Sequence, residues 1–427
     1  MAGFLVVFAF VGLFALGFPV VLAIGIPCLI YLAANGLPLD LLAQRTLYAM
    51  DSFPLVAVPV FLFVGSLMNS AGISKYIYKF ADTLVGRLPG GLAQVNIFGS
   101  LVFAGMSGSA LADIGGIGRI EIDAMKEKGY NRAFAAAVTS SSAIVGPIFP
   151  PSIPLIIYGT VTGVSVLQLL LGGILPGLLC VAGLMLMTAW LARRRNYPRA
   201  DRWPTLVEIL RDFWPALPAI LAPVLLIGGM LAGFFTPTEI ASVTVIYTIA
   251  ISALFYRELT WRGLYAAALE TIRSSAAILL IVAVAALFGW ILSVERVPQI
   301  LAGWMLSISS DPLVLLLLVN ILLLIVGMFL DSTTAILVIA PIIAKPLMLA
   351  GVDPVHLGMV VVFNLMVGLL TPPMGLALYL VADIAQVRMR DVLREMMPFY
   401  IPLGLTLLVI TYVPWVTTFI PRLAFGN

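Results

Sequence analysis

Charge is scarce in this sequence. Lysine, arginine, aspartate and glutamate together make up 10% of 427 residues, and 62% are hydrophobic, with a mean hydropathy of +1.13. A soluble domain cannot carry that balance, because too few polar side chains remain to cover its surface; the chain reads as a polytopic membrane protein. Histidine is limited to His356, and cysteine to Cys28 and Cys180. One histidine and no His-Glu-x-x-His exclude a zinc peptidase. The same residue would have to serve any serine–histidine pair, and no serine partner for it is evident. Both cysteines lie in apolar segments and read as small buried hydrophobes. No Gly-x-x-x-x-Gly-Lys-Ser/Thr loop is present, so the chain does not itself hydrolyse ATP. No catalytic residue is assigned, and the chain is not read as an enzyme. The apolar stretch from Ala2 lacks a basic flank and reads as a first membrane helix, not a signal peptide. The net charge of +3 comes from basic residues in short loops, which set topology and offer no nucleic-acid surface.

What the sequence has in abundance is internal order. Gly105-Met106-Ser107-Gly108-Ser109, Gly129 and Gly146-Pro147-Ile148-Phe149-Pro150-Pro151 recur as Gly327-Met328-Phe329-Leu330-Asp331, Gly351 and Gly368-Leu369-Leu370-Thr371-Pro372-Pro373. The differences 327−105, 351−129, 368−146 and 373−151 all equal 222. Each copy breaks one apolar run with glycine and small polar residues, then another at Gly-x-x-x-Pro-Pro. Matched interruptions in two halves of a membrane protein point to a transporter's central site.

The chain divides around this pattern into two repeats, 1–192 and 213–427, joined by a basic linker at 193–212. In the first, 1–86 holds scaffold helices: two within 2–33 broken at Gly17-Phe18-Pro19 (the first of them short), a loop at 34–50, a helix at 52–70 and an amphipathic stretch from Ile73 to Val85. Residues 87–163 hold a re-entrant hairpin and a broken span, and 165–192 one more helix. The second repeat runs through scaffold helices at 213–308 (213–233, 238–256, 271–292 and an arm at 296–308), a hairpin and broken span at 312–385, and a last helix at 391–420. The linker carries Arg193, Arg194, Arg195, Arg199 and Arg202, which places it in the cytoplasm. Lys126, Lys128 and Arg132 open the first hairpin to that face. Counting spans from the linker puts the second hairpin on the other face and both termini outside. The expected fold is all-α: two inverted repeats with about ten spans and two re-entrant hairpins.

A helix broken inside a membrane leaves about four unpaired N–H and four unpaired C=O groups at each new end. Hydrocarbon cannot satisfy them, so they must face protein or a water-filled cavity. Helix N-termini attract carboxylates, and exposed carbonyls coordinate small cations. The hairpin tips and their surroundings are therefore the expected substrate site: Gly105, Ser107, Gly108, Ser109, Asp113, Asp331, Ser332, Thr333 and Asn364. Ser107, Ser109 and Thr371 offer hydroxyl ligands for sodium, with carbonyls at Gly146, Pro147, Gly327, Gly368 and Gly375. A proline supplies no N–H to the carbonyl four residues back, which for Pro150 and Pro372 means Gly146 and Gly368. These two backbones are expected to face each other. Other roles stay open: serines can cap the broken helices, Asp331 can cap the helix after it, and Asn364 is a ligand or a packing amide. Thr139-Ser140-Ser141-Ser142 reads as packing polar groups, His356 as an interfacial residue, and Thr236 with Glu239 as a capping pair.

The motifs above, with Gly233-Phe234-Phe235-Thr236-Pro237-Thr238-Glu239 and Asn364-Leu365-Met366-Val367-Gly368, resemble the large membrane subunit of tripartite ATP-independent periplasmic (TRAP) transporters across essentially the whole chain. The resemblance implies an elevator-type secondary transporter in the bacterial inner membrane, taking up a small organic acid with sodium as coupling ion and needing no other cofactor. It also implies two partners: a small four-helix membrane subunit, expected as a separate chain, and a periplasmic solute-binding protein. A stand-alone sodium-coupled dicarboxylate symporter is the alternative.

Overall fold

In the computed structural model, residues 2–200, 202–309 and 311–426 are described, apart from the side chains of residues 53, 54, 105–107, 302, 305, 306 and 308. The described chain is helical throughout, with no strand. The repeat is visible in the element boundaries. The first hairpin is Gly91–Ser107 and Ala110–Glu127; the second is Pro312–Phe329 and Ser332–Leu349. The first broken span is Arg132–Ala143 and Ile153–Thr162; the second is Pro354–Leu369 and Leu376–Ala385. Helix starts differ by 332−110 = 222 and 354−132 = 222. Local chemistry dictates those starts. Asn131 and Asp353, also 222 apart, each accept backbone N–H groups at the head of a broken span: Ala133 at 2.8 Å for the first, Val355 at 2.9 Å and His356 at 3.0 Å for the second. Such caps satisfy donors that the membrane would otherwise leave unpaired.

The two copies interlock. Ala110–Glu127 of the first hairpin packs on Leu376–Ala385 of the second broken span, and Ser332–Leu349 of the second hairpin packs on Ile153–Thr162 of the first. Two long helices, Phe53–Ser70 and Trp261–Val294, pack on each other and form a pair of spines beside that body. An arm follows each spine, Ser74–Val85 and Val297–Ile308.

Several boundaries differ from the sequence expectation. Residues Asp40–Met50 form a helix, not a loop, and it buries no residue. Its leucines, alanines and glutamine favour helix intrinsically, but without a core face it carries little periodic signal. The second spine has 34 residues, because Thr260 caps it at Gly263 N–H, 3.0 Å away, well before the apolar run begins. The last helix is not continuous: Pro414 supplies no N–H, and the chain breaks between Tyr400–Tyr412 and Trp415–Phe425. Both of the first two helices are short, Ala2–Ala15 with 14 residues and Val20–Ala34 with 15. By length and composition seven helices among the described residues can cross a bilayer, or eight counting the bent pair Asp40–Met50 and Leu55–Ser70. The expected ten joins short pieces across breaks; each of the first two helices reaches only ~21–23 Å at ~1.5 Å per residue.

His356 is buried within the protein, with Thr417 Oγ1 at 3.0 Å and the Thr411 carbonyl at 3.2 Å from its ring nitrogens. The broken C-terminal helix folds over it. Thr236 and Glu239 do form a capping box.

Candidate functional site

Both hairpin tips converge on one cavity. It holds about 70 Å3 and is lined by Gly108 and Ser109 from the first tip, Asp331, Ser332 and Thr333 from the second, and Pro147 and Leu369 from the two breaks. Leu62 and Ile278 close it from the two spines. Glycine is required at 108: its φ is +59°, and a Cβ there would lie 2.9 Å from the Pro151 carbonyl oxygen. Each tip thus seats on the break of its own copy, and in the second copy Gly375 N–H donates to the Met328 carbonyl at 3.1 Å.

The remaining expected residues fall elsewhere. Gly368 does not face Gly146. It abuts Gly327, whose Cα would be 2.7 Å from a Cβ at 368, and Gly146 abuts the Asp113 carboxylate, 2.8 Å from a Cβ at 146. The Gly368 carbonyl is not free, since Thr371 N–H donates to it at 2.8 Å. Thr371 Oγ1 donates to the Val367 carbonyl at 2.7 Å, and the Pro147 carbonyl accepts from Ser152 Oγ. Asn364 is fully buried; its amide donates to Asn320 Oδ1 at 2.6 Å and to the Asn320 carbonyl at 3.0 Å, while its own Oδ1 has no hydrogen-bond partner among the described residues. Ser142, at the related position of the first copy, donates to Asn96 Oδ1 at 2.8 Å and to the Thr139 carbonyl at 3.1 Å. Asp331 caps the returning limb through Thr333 N–H at 3.0 Å and Thr334 N–H at 3.2 Å, yet it lines the cavity as well. The surroundings of Gly105 and the side chain of Ser107 lie outside what the structure describes.

Sequence reading missed what flanks the tips. A vestibule of about 560 Å3 extends from the tips between the spines and the first hairpin, past Ser66, Asn69, Asp113, Gly115 and Glu270. A second, of about 600 Å3, extends the other way past Arg45, Asp51, Thr160, Trp290 and Leu337. The repeat relates the two. Gly115 and Leu337, Ala49 and Thr271, and Ser52 and Ser274 differ by 222; Leu62 and Ala285, and Ser66 and Gly289, differ by 223. Along the first spine the order is Leu55, Leu62, then Gly65 to Asn69; along the second it is Ser293 to Val282, Ile278, then Ser274 to Glu270. The three cavities therefore form one line along the spine pair. A cavity of about 850 Å3, an apolar groove around Trp190 and Ile401, has no tip residue in its lining. No group of three or more metal-ligating side chains occurs among the described residues.

Residues 6–416 match the family described as tripartite ATP-independent periplasmic transporter, DctM component. The sequence is 41% identical over 424 residues to the sialic acid TRAP transporter large permease protein of Vibrio cholerae, covering 98% of each chain. It is 32% identical to that organism's C4-dicarboxylate TRAP transporter large permease protein, covering 97% of this chain and 96% of the relative. In fold it resembles the YdaH transporter of Alcanivorax borkumensis, with a TM-score of 0.60 at 17% identity over 90% of this chain and 88% of that one. With tips, breaks and spines arranged as above and these relatives spanning its length, the chain belongs to the DctM component family of tripartite ATP-independent periplasmic transporters, and it is a multi-pass membrane permease subunit.

Proposed function

We propose that this permease subunit takes up a small organic acid across the bacterial inner membrane, coupled to sodium. A periplasmic solute-binding protein delivers the acid, and a small four-helix membrane subunit completes the complex. The observation that carries the reading is the pair of repeat-related vestibules of about 600 and 560 Å3 on either side of one small tip cavity. Alternating access needs one central site with two equivalent doorways. The tip cavity, about 70 Å3, is far below the ~300 Å3 of a small-molecule pocket, so an acid enters it only when hairpins and spines separate. The interlocked hairpins and broken spans would move as one body along the spines, as an elevator. The first vestibule then opens to the cytoplasm, beside the limb ending in Lys126 and Lys128, and the second to the periplasm.

The acids named for two relatives, sialic acid and C4-dicarboxylates, set the first candidates. The test is reconstitution of the three components in proteoliposomes with each labelled acid, with and without an inward sodium gradient. Uptake that needs both the gradient and the binding protein is the expected result. Uptake without the binding protein would leave a stand-alone symporter, and sodium-independent uptake would remove the coupling ion. Ser109→Ala and Thr371→Ala are expected to weaken sodium activation by about 1–2 kcal/mol each, the scale of one hydrogen-bond-like contact; unchanged activation in both moves the cation away from these hydroxyls.

A further inference from the structure

The second vestibule holds one basic side chain among its lining residues, Arg45. Its guanidinium carbon lies 5.0 Å from the centroid of the Trp290 ring. A spine residue thus sets its aromatic face against the cation and covers one side of it. Among the described residues Arg45 makes no ion pair and no side-chain hydrogen bond. Asp51 lines the same cavity and does not pair with it. Such an arginine keeps five N–H donors for a ligand, in the planar arrangement that matches a carboxylate.

The repeat supplies the control. At 45 + 222 = 267 the second copy has Ala267, and at 270 − 222 = 48 the first copy has Tyr48 where the other has Glu270. The first vestibule is lined by Glu270, which accepts a hydrogen bond from Ser66 Oγ at 2.6 Å, and by Asp113, with no lysine or arginine. Two doorways built on related backbones therefore differ in charge. An anion meets a cation only in the second.

We infer that Arg45, held over the Trp290 ring, is the carboxylate-capturing residue of the second vestibule, where a hydroxylated monocarboxylic acid rests before it reaches the hairpin tips. Asp51 decides the class: it accepts hydrogen bonds from a ligand's hydroxyls, beside Ser52 and Thr160, and repels a second carboxylate. The acidic first vestibule is the release side. The inference rests on the organic-acid reading of the preceding section and deepens it.

The test has two arms. In the first, the full chain in lipid nanodiscs is treated with phenylglyoxal, and modification of Arg45 is followed by peptide mass spectrometry. N-acetylneuraminate, succinate and the neutral sugar N-acetylglucosamine are the probes. N-acetylneuraminate is expected to slow the modification about tenfold and succinate less, with no effect of the neutral sugar. Equal rates with and without acid overturn the site, and stronger protection by succinate overturns the assigned class. In the second arm, uptake by the complete transporter is measured against the concentration of acid-loaded binding protein. Arg45→Gln is expected to raise the half-saturating value about tenfold, and Arg45→Lys less, because the charge survives without the fork. An unchanged half-saturating value in both variants overturns the capture role. If wild type takes up no acid while Arg45 is protected, the transport reading fails and the site stands. If uptake runs and Arg45 is neither protected nor sensitive, the site fails and the transport reading stands.

Discussion

At the second hairpin's tip the Asp331 carboxylate accepts N–H groups from Thr333 at 3.0 Å and Thr334 at 3.2 Å; at the same place in the first, Ser109 Oγ is 3.5 Å from Ala112 N–H. The difference continues along the returning limbs. Asp113 and Glu121, 8% and 4% exposed, lie on the first limb where the second has Ala335 and Ile343. It continues at the breaks, where Gly368 meets backbone and Gly146 meets a carboxylate. One backbone plan thus carries a tightly capped, closely packed second hairpin and a first hairpin whose returning limb buries two carboxylates. Such groups are expensive inside a membrane and mark functional positions.

The comparison breaks most visibly at the two glycines. Gly368→Ala places a methyl group 2.7 Å from the Gly327 Cα, which only a shift of whole helices relieves, so a loss of about 2–3 kcal/mol is expected. Gly146→Ala meets the tip of a side chain, 2.8 Å away, that can rotate, and about 1 kcal/mol or less is expected. Thermal unfolding of both variants in detergent checks this; equal losses would mean that the copies are packed alike. Caps come next. Asp331→Ala should cost about 1–2 kcal/mol and Ser109→Ala about 0.5 kcal/mol, read as the same melting shifts, and the reverse order would sink the assignment of the stronger cap.

The arms sharpen the contrast with the smallest effect. The first arm is tied down by Lys75 and Tyr76 on Glu258, the tyrosine at 2.9 Å, and by Lys79 on Asp212 at 3.0 Å; the second arm is apolar, with Gln299 the polar residue nearest its start. The hydrogen bond from Lys75 holds the Glu258 carboxyl below the ordinary glutamate value, with Tyr76 adding to it. A depressed carboxyl contributes stability above its unfolded value, ~4.3, and loses it as the pH falls through the lower folded one. Glu258 remains partly exposed, so the tie contributes at most about 1 kcal/mol. Amide protection, corrected for the intrinsic slowing of exchange in acid, should therefore fall in Ser74–Val85 below about pH 4 and hold better in Val297–Ile308; equal responses would remove the distinction.

Much of this architecture is legible in the sequence because breaks in apolar runs are local signals. The 222-residue repeat marks both hairpins, both broken spans and the tip residues Gly108, Ser109, Asp331, Ser332 and Thr333. What stays hidden depends on distance in space. Asn364 reads equally as a ligand or a packing amide, and only the fold shows that Asn320, 44 positions away, takes its amide N–H groups. Gly368 looks like a free carbonyl until Thr371 turns back on it. Arg45 and Trp290 lie 245 positions apart, and residues 34–50 look like a loop because that helix buries no residue of its own. The vestibules emerge only when the two spines are set side by side.

The second spine also acts as a scale. Its 34 residues make a rod of ~51 Å at ~1.5 Å per residue, longer than the ~30 Å of hydrocarbon it crosses. The vestibules mark it from Ser293 to Glu270, ~35 Å apart by the same rise. One unbroken helix therefore runs beside all three cavities, from the far end of one vestibule to the far end of the other. A proline inserted near Ile278 would break that rod close to its midpoint.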